Sequence, residues 1–199
     1  MVAAAAAKGV RVFDLGPGVI ERVTDTVTAQ PILAVASRCD VELAAVREAG
    51  LVVVCVDVRD PGNLGTVLRT AEAAGVGAVI CCEGTVDVYN PKCVRASAGS
   101  VFHVPVVAGG EPVEVLESVR AWDMRRLGAA AGDGDPYHQV DFRPPTAIVL
   151  GNEAHGLPEG VGGSIDGWVT VPMVGRAESL NVGMAAAVLC FEAARQRGA

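Results

Sequence analysis

The chain has 199 residues, of which 51% are hydrophobic and 4% aromatic, a composition that supports a folded core and argues against disorder. Its formal net charge of −7 argues against a surface built for non-specific nucleic-acid binding, because affinity for phosphates grows with the number of Lys and Arg contacts. A local basic site stays open. The six cysteines show no C-x-x-C spacing, which argues against a metal or disulfide framework and favours a reducing, cytoplasmic location.

The first fifty residues carry few regular patterns. The Ala-rich opening, residues 1–9, predicts the end of a helix closed by Gly9, and it lacks the basic start and long apolar core of a signal peptide. Residues 10–15 and 31–37 are typical of short strands. No apolar run reaches the ~18 residues that a membrane-spanning helix needs, so we expect no membrane partner.

From about Gly50 onward, predicted strands and helices alternate, and we expect a domain boundary there. Apolar, β-branched runs predict five strands, at 51–57, 77–82, 127–131, 146–151 and 167–173. Helical periodicity predicts three helices, at 62–75, 111–123 and 179–197. The alternation predicts an α/β domain with a mostly parallel sheet and helices on both faces.

The stretch "VFDLGPGVIERV" (12–23) is a candidate cofactor loop. Asp14, Gly16 and Gly18 follow an apolar run, roughly as in a Rossmann nucleotide-binding loop. The third glycine of that fingerprint is missing, and Pro31 would end the following helix early. We interpret the stretch as a strand followed by a Gly-Pro turn, and a Rossmann-type enzyme is the weakest hypothesis for this chain.

A stronger candidate follows the strand predicted at 51–57. Gly62 and Asn63 lie at the start of the next helix, where free N–H groups attract anions. Arg69 lies one turn above Gly65, and its side chain can reach over that glycine toward the same place. The alternative is an ordinary solvated arginine on a polar helix face.

Two later segments also place polar residues at the ends of predicted strands. "IVLGNEAHGLPEG" (148–160) carries Glu153 and His155 in a turn, and ligands gather outside the carboxyl ends of parallel strands; the alternative is a helix-entry turn with Glu153 as a capping carboxylate. In "VPMVGRAESLNVGMAAAVL" (171–189), Ser179 is the expected N-cap. The helix after it is apolar nearly all round, which indicates burial by the core or by a partner subunit.

At these three segments the sequence resembles the SpoU (TrmH-like) family of SPOUT-class methyltransferases, which methylate ribose 2′-hydroxyls of RNA. The matching positions form three motifs in order: Asn63, Gly65, Arg69, Ala71 and Gly75; Gly151, Asn152, Glu153, Gly156 and Leu157; and Pro172, Met173, Ser179, Leu180, Asn181 and Val182. The resemblance covers residues 50–197, including the family-like stretch 89–106. It departs at Gly183 and Met184, where many relatives have a second Ser and an aliphatic residue.

The resemblance implies a SPOUT-type α/β fold in which the C-terminal segment forms a trefoil knot. It also implies S-adenosylmethionine as cofactor, a homodimer, no metal, and RNA as substrate, with ribosomal RNA preferred over transfer RNA. Arg69 would activate the 2′-hydroxyl, and Asn63, Glu153, Ser179 and Asn181 would hold Arg69 and the ribose. The family does not require His155 as a base. The implied cofactor residues are Ala130, Ala131, Leu150, Gly151, Asn152, Gly156, Val171, Met173 and Leu180.

Residues 1–49, especially "DTVTAQPILAV" (25–35), resemble the tail of an RNA-binding domain related to a ribosomal protein, whose front would precede Met1. Two main hypotheses follow. The chain is either an RNA ribose 2′-O-methyltransferase, or a truncated and catalytically weak paralogue that dimerises and binds cofactor or RNA without turnover.

Overall fold

A computed structural model describes residues 1–24 and 30–198 and divides into two compact units, residues 1–38 and residues 39–199. Part of the stretch that resembles an RNA-binding domain, residues 25–29, lies outside the described residues. Within the described residues, no helix is long and apolar enough to cross a membrane.

The first unit contains two short helices, α1 (Val2–Ala7) and α2 (Val19–Val23). Gly9 adopts a φ of +80° just after α1, which confirms the predicted end of the Ala-rich helix. The strands predicted at 10–15 and 31–37 are wrong, because both segments are irregular and exposed. A strand needs a neighbour to pair its backbone groups, and the described residues of this unit supply none.

The second unit contains one parallel sheet with the strand order β3-β2-β1-β6-β4-β7-β5. Its strands are β1 (Leu51–Cys55), β2 (Ala78–Cys81), β3 (Val106–Ala108), β4 (Arg125–Ala130), β5 (Asp135–Pro136), β6 (Thr146–Leu150) and β7 (Gly167–Thr170). Its α-helices are α3 (Pro61–Ala73), α4 (Pro91–Ala96), α5 (Pro112–Ala121), α6 (Glu159–Gly162) and α7 (Val182–Arg197). Short 3₁₀ turns occur at Leu43–Val46, Ser100–Phe102 and Tyr137–Gln139.

Helices cover both faces of the sheet, which confirms the predicted α/β class. Val53 and Cys55 of β1 pack into a core with α3, α4 and α7, whereas Val52 and Val54 pack into a second core with α5 and α6. A central strand buried on both faces reads as a continuous apolar run, as "LVVVC" does. The trefoil knot stays a prediction.

Elements of two to six residues, namely α4, α6, β3 and β5, were not predicted because they are too short to show a period. The N-cap of α7 is also corrected. Its cap is Asn181 rather than Ser179, because the Asn181 Oδ1 accepts hydrogen bonds from the backbone N–H of Gly183 at 2.9 Å and of Met184 at 3.4 Å.

Helices α3 and α7 approach each other closely where the sequence departs from the SpoU pattern. A Cβ atom at Gly183 would lie 2.9 Å from Cγ2 and 3.0 Å from Cβ of Thr66. Such distances are shorter than ordinary van der Waals contact, so a side chain at position 183 requires α3 or α7 to shift. The close approach of Thr66 therefore explains why residue 183 is a glycine.

We expect Gly183→Ser to destabilise the protein by about 1–3 kcal/mol, the usual cost of overpacking a close contact. The loss should be much smaller when Gly183→Ser is made in a Thr66→Ala background. The measurement compares the free energy of urea unfolding of the double variant with that of Thr66→Ala alone. Gly160→Ser is the matched control, because nothing lies within 4 Å of its Cβ position. A double variant as unstable as Gly183→Ser would show that Thr66 is not the cause.

Candidate active site

A cavity of about 470 Å³ opens at the carboxyl ends of β4, β6 and β7. Ligands bind at this edge of parallel α/β sheets, and the volume lies within the usual range of ligand pockets. The residues that line it include all nine for which the resemblance implies cofactor contact: Ala130, Ala131, Leu150, Gly151, Asn152, Gly156, Val171, Met173 and Leu180. Their role in binding stays a prediction, but one cavity brings them together.

The wall of the cavity also contains the predicted site residue Ser179 and residues outside the three motifs. Trp168 and Leu189 extend its apolar part, while His155 and Glu178 add polar groups. Gly128 of β4 leaves room for the indole of Trp168. A Cβ atom there would lie 2.7 Å from the Trp168 ring.

The turn after β6 is tight because its backbone folds back on itself. Asn152 and Gly156 exchange two backbone hydrogen bonds of 2.9 Å. A Cβ atom at Gly151 would lie 2.5 Å from the backbone oxygen of Gly156 and the backbone nitrogen of Leu157, so only glycine fits. Gly156 has a φ of +69°, a conformation that favours glycine.

The Asn152 side chain holds this turn and connects it to the loop after β1. Its Oδ1 accepts the backbone N–H of Ala154 and His155, and its Nδ2 donates to the backbone oxygen of Asp57 at 3.0 Å and to Oδ2 of Asp57 at 3.1 Å. Asp57 adopts a φ of +59° and pairs with Arg59 at 2.8 Å. Sequence patterns missed Asp57, because its contacts with the second motif arise only from folding.

Three predicted site residues form a continuous chain of hydrogen bonds. Asn181 Nδ2 donates to Asn63 Oδ1 at 2.7 Å, and Asn63 Nδ2 donates to Glu153 Oε1 at 2.9 Å. Both amide orientations are fixed, since Asn181 Oδ1 faces the N–H groups of α7 and a carboxylate can only accept. We call Asn181, Asn63 and Glu153 the amide chain; it connects the first residues of α3 and α7 to the turn after β6.

Glu153 serves as an acceptor for the whole loop before α3. Its carboxylate also accepts the backbone N–H of Asp60 at 3.1 Å and of Arg59 at 3.3 Å. Partial burial acts to raise the pKa of Glu153, but the hydrogen bonds from Asn63, Asp60 and Arg59 outweigh it, and the pKa lies below its usual value. Glu153 is therefore a carboxylate at neutral pH and an anchor rather than a proton carrier.

The start of α3 is fixed independently by Asp60. The Asp60 Oδ1 accepts the backbone N–H of Asn63 at 2.9 Å, and Oδ2 accepts from Lys92 Nζ of α4 at 2.8 Å. The Lys92 bond, followed by that of Asn63, lowers the pKa of Asp60. The position of Asn63 is thus set by its own backbone as well as by the amide chain.

Arg69 lies on the exposed side of α3 and forms no hydrogen bond or ion pair with any residue in the described ranges. The predicted path over Gly65 is corrected. A Cβ atom at Gly65 would lie 2.5 Å from Ala96 Cβ and 3.0 Å from the Ser97 backbone nitrogen, so this glycine allows α4 to pack against α3. The roles of Arg69 and of Ser179, which lies at the cavity, stay predictions.

The glycine-rich stretch near the N-terminus takes no part in this site. Gly16 and Gly18 have open space around their Cβ positions, no strand precedes them, and neither lines the cavity. In the described part of the chain, no group of three or more His, Cys, Asp or Glu residues could hold a metal ion.

The geometry agrees with comparisons to known proteins. A family model described as the SpoU rRNA Methylase family matches residues 50–191. The chain belongs to this family. It is 38% identical over 184 residues to the 23S rRNA (guanosine(2553)-2′-O)-methyltransferase RlmP of Bacillus subtilis (strain 168), covering 92% of this chain and 72% of the relative.

Other SpoU relatives are similar over shorter shares. A 23S rRNA (uridine(2479)-2′-O)-methyltransferase of Streptomyces viridochromogenes is 38% identical over 166 residues, 79% of this chain and 57% of that protein. The AdoMet-bound rRNA methyltransferase from Sinorhizobium meliloti matches with a TM-score of 0.84 and 30% identity, covering 98% of this chain and 75% of that one. This chain therefore spans little more than half of one relative and about three quarters of the other.

Replacing Glu153 tests its role as an acceptor. We expect Glu153→Gln to lower the free energy of unfolding by about 1 kcal/mol at pH 7, because either amide orientation turns an N–H toward a donor. The lowered pKa of Glu153 means that this contribution is complete above the ordinary pKa of 4.5 and is lost as the pH falls through the folded-state value. The measurement is urea unfolding of both proteins at pH 7 and at pH 3.

Glu159→Gln is the matched control, since the side chain of Glu159 forms no hydrogen bond within residues 1–24 and 30–198. The free energy of unfolding of Glu159→Gln should equal that of the wild type at pH 7. A difference between wild type and Glu153→Gln that stayed the same at both pH values would contradict the anchoring role.

Proposed function

We propose that this chain is an S-adenosylmethionine-dependent RNA methyltransferase that transfers a methyl group to a ribose 2′-hydroxyl of ribosomal RNA. The observation that carries the proposal is the amide chain, which joins the three family motifs beside a cavity lined by every residue implied for the cofactor. The relatives named as 23S rRNA 2′-O-methyltransferases support the reaction and the substrate class.

The cavity fits the cofactor by its chemistry. Leu150, Val171 and Leu180 offer apolar walls for a flat adenine ring, and the tight turn at Gly151 brings backbone groups within reach of it. Carboxylates of Glu153 and Glu178 lie in the same wall and favour a ligand that carries a positive charge. S-adenosylmethionine supplies an activated methyl group as a sulfonium.

The residues of this chain orient the acceptor and stabilise charge. The amide chain cannot carry a proton, because carboxamides do not titrate near neutral pH, so we assign it the placement of the ribose. Arginine stays protonated in proteins, and we assign Arg69 the orientation of the hydroxyl and its neighbouring phosphate and the stabilisation of developing negative charge. Ser179 adds a hydroxyl at the cavity.

Residues 1–49 are proposed as part of an RNA-binding substrate domain, with residues 50–199 as the methyltransferase domain. The alignment with the Bacillus subtilis relative spans 184 residues, which is longer than residues 50–199 and so includes part of this segment. Large apolar side chains such as Phe13, Leu33 and Val35 are exposed in it. All six cysteines are free thiols, which supports a cytoplasmic location.

The alternative is a paralogue that binds cofactor or RNA without turnover. One observation favours it: none of Asn63, Glu153, Ser179 and Asn181 forms a hydrogen bond or ion pair with Arg69 within the single chain. Cofactor binding by calorimetry without methyl transfer to any RNA would select this alternative.

We also propose that the protein acts as a homodimer through α7. Met184 and Phe191 lie seven residues apart on one face of that helix and are 57% and 51% exposed. Met173 and Leu180, in the loop that leads to α7, are exposed as well. A second copy of this chain would cover this apolar surface, which continues to the cavity.

We expect Arg69→Ala to lower kcat by about 100-fold or more, the usual effect of removing a group that stabilises developing charge. Cofactor affinity should stay within twofold, since Arg69 does not line the cavity. The assay follows labelled methyl transfer from S-adenosylmethionine to ribosomal RNA. Arg120→Ala, an exposed arginine on α5 at the opposite face of the sheet, is the control. Full activity of folded Arg69→Ala would refute its assigned role.

We expect Phe191→Arg to weaken self-association by about 2–4 kcal/mol, because a charged side chain would be buried in an apolar contact. Sedimentation velocity measures the shift from dimer to monomer. Ala121→Arg at the exposed end of α5 introduces the same side chain elsewhere and should leave the dimer intact. A wild-type protein that sediments as a monomer would contradict the proposed assembly.

A further inference from the structure

The second unit begins at Cys39, and its first residues are bound to one tyrosine. The backbone N–H groups of Cys39 and Asp40 both donate to the Tyr89 hydroxyl at 2.8 Å, and that hydroxyl donates to Asp40 Oδ1 at 2.7 Å. The next N–H, of Val41, donates to the backbone oxygen of Val106 in β3 at 2.8 Å. Three consecutive residues are thus fixed to the sheet domain where the chain enters it.

Tyr89 is well placed to hold this segment. Its ring packs against the core under α3 and α4, and its own backbone N–H donates to Asp87 Oδ1 at 2.9 Å. A tyrosine hydroxyl offers one donor and two acceptor positions: the two acceptor positions match the N–H groups of Cys39 and Asp40, and the proton points to Asp40 Oδ1, with Cys39 Sγ a more distant acceptor at 3.8 Å. Burial, followed by the hydrogen bond to Asp40, raises the pKa of Tyr89 to about 12, so the donor proton is present at neutral pH.

The hydroxyl has no part in the cofactor site. Tyr89 does not line the cavity, and the bonds of the amide chain join Asn181, Asn63 and Glu153. Removing only the oxygen atom therefore removes the acceptor of the Cys39 and Asp40 backbone N–H groups and leaves the packed ring in place, while the bond from Cys39 Sγ to the Val101 backbone oxygen at 3.3 Å remains.

We propose that Tyr89 is a positioning residue for RNA: its hydroxyl anchors residues 39–40 and so fixes the point from which the chain continues toward the RNA-binding residues. The part of this inference that concerns RNA rests on the proposed function, whereas the anchor does not. When two RNA-binding segments belong to one chain and their connection is anchored, RNA that is held by one segment has a higher effective concentration at the other. Its loss weakens RNA capture without changing the chemistry at the cavity.

The test compares Tyr89→Phe with Tyr137→Phe in the full chain, because these are the two tyrosines of the sequence. The Tyr137 ring packs against the same core, but its hydroxyl forms no hydrogen bond within the described ranges. Hydrogen exchange of backbone amides reports the anchor, and steady-state methyl transfer with calorimetry of S-adenosylmethionine reports its consequence.

For Tyr89→Phe we expect exchange at Cys39 and Asp40 to become about tenfold faster or more, with β1 and β6 unchanged. The KM for RNA should rise about 3- to 10-fold, while kcat and the Kd for S-adenosylmethionine stay within about twofold. Tyr137→Phe should match the wild type in every readout.

Three results would overturn the proposal. Unchanged exchange at residues 39–40 would refute the anchor, and faster exchange throughout β1 and β6 would show that the hydroxyl supports the fold in general. Faster exchange at residues 39–40 together with an unchanged KM for RNA would refute the positioning role. If the wild type transferred no methyl group to any RNA, the proposed function would fail, and the exchange data would still decide whether Tyr89 is the anchor.

Discussion

Two carboxamides and one carboxylate hold this site in a single arrangement. Asn181 is oriented by the free N–H groups at the start of α7, and Asn63 is oriented by Asn181. Glu153 accepts the last hydrogen bond of this chain, from Asn63. Each amide can make both of its bonds in only one orientation, so the helix terminus and the carboxylate together determine the whole chain. Three loops that are distant in sequence thereby acquire one relative geometry.

Close backbone approach makes this arrangement possible, and glycine is required where it occurs. Gly65 lets α4 pack on α3, Gly183 lets α7 pack on α3 beside Thr66, and Gly151 lets the turn after β6 fold against its own strand. In the second case the helices bring Asn63 and Asn181 toward each other. In the third the turn carries Glu153. Gly65, Gly151 and Gly183 thus act through packing rather than by contact with a ligand.

Sequence patterns predicted the second unit far better than the first. The strand at 51–55 is buried on both faces, so its apolar run identifies it alone, whereas 31–37 has a strand-like composition but no neighbouring strand among the described residues. The nine cofactor positions are implied by the resemblance to the family and not by composition or periodicity. Asp57 and Tyr89 could not be found that way, because their importance lies in contacts across 95 and 49–50 residues of chain.

Several carboxylates near the amide chain have local partners. Asp57 pairs with Arg59, and Asp60 pairs with Lys92, while Glu153 is surrounded by N–H donors. Asp57 and Asp60 are thus paired with cations, whereas Glu153 keeps its negative charge and is stabilised by hydrogen bonds. Arg69 and Arg176 form no ion pair in the described ranges. Arg69 lies on α3, which also contains Asn63 of the amide chain, and Arg176 lies in the loop that leads to α7. An acidic protein can therefore offer local cations to phosphates, because within the described residues Asp57 and Asp60 are paired with other cations and Arg69 and Arg176 form no ion pair.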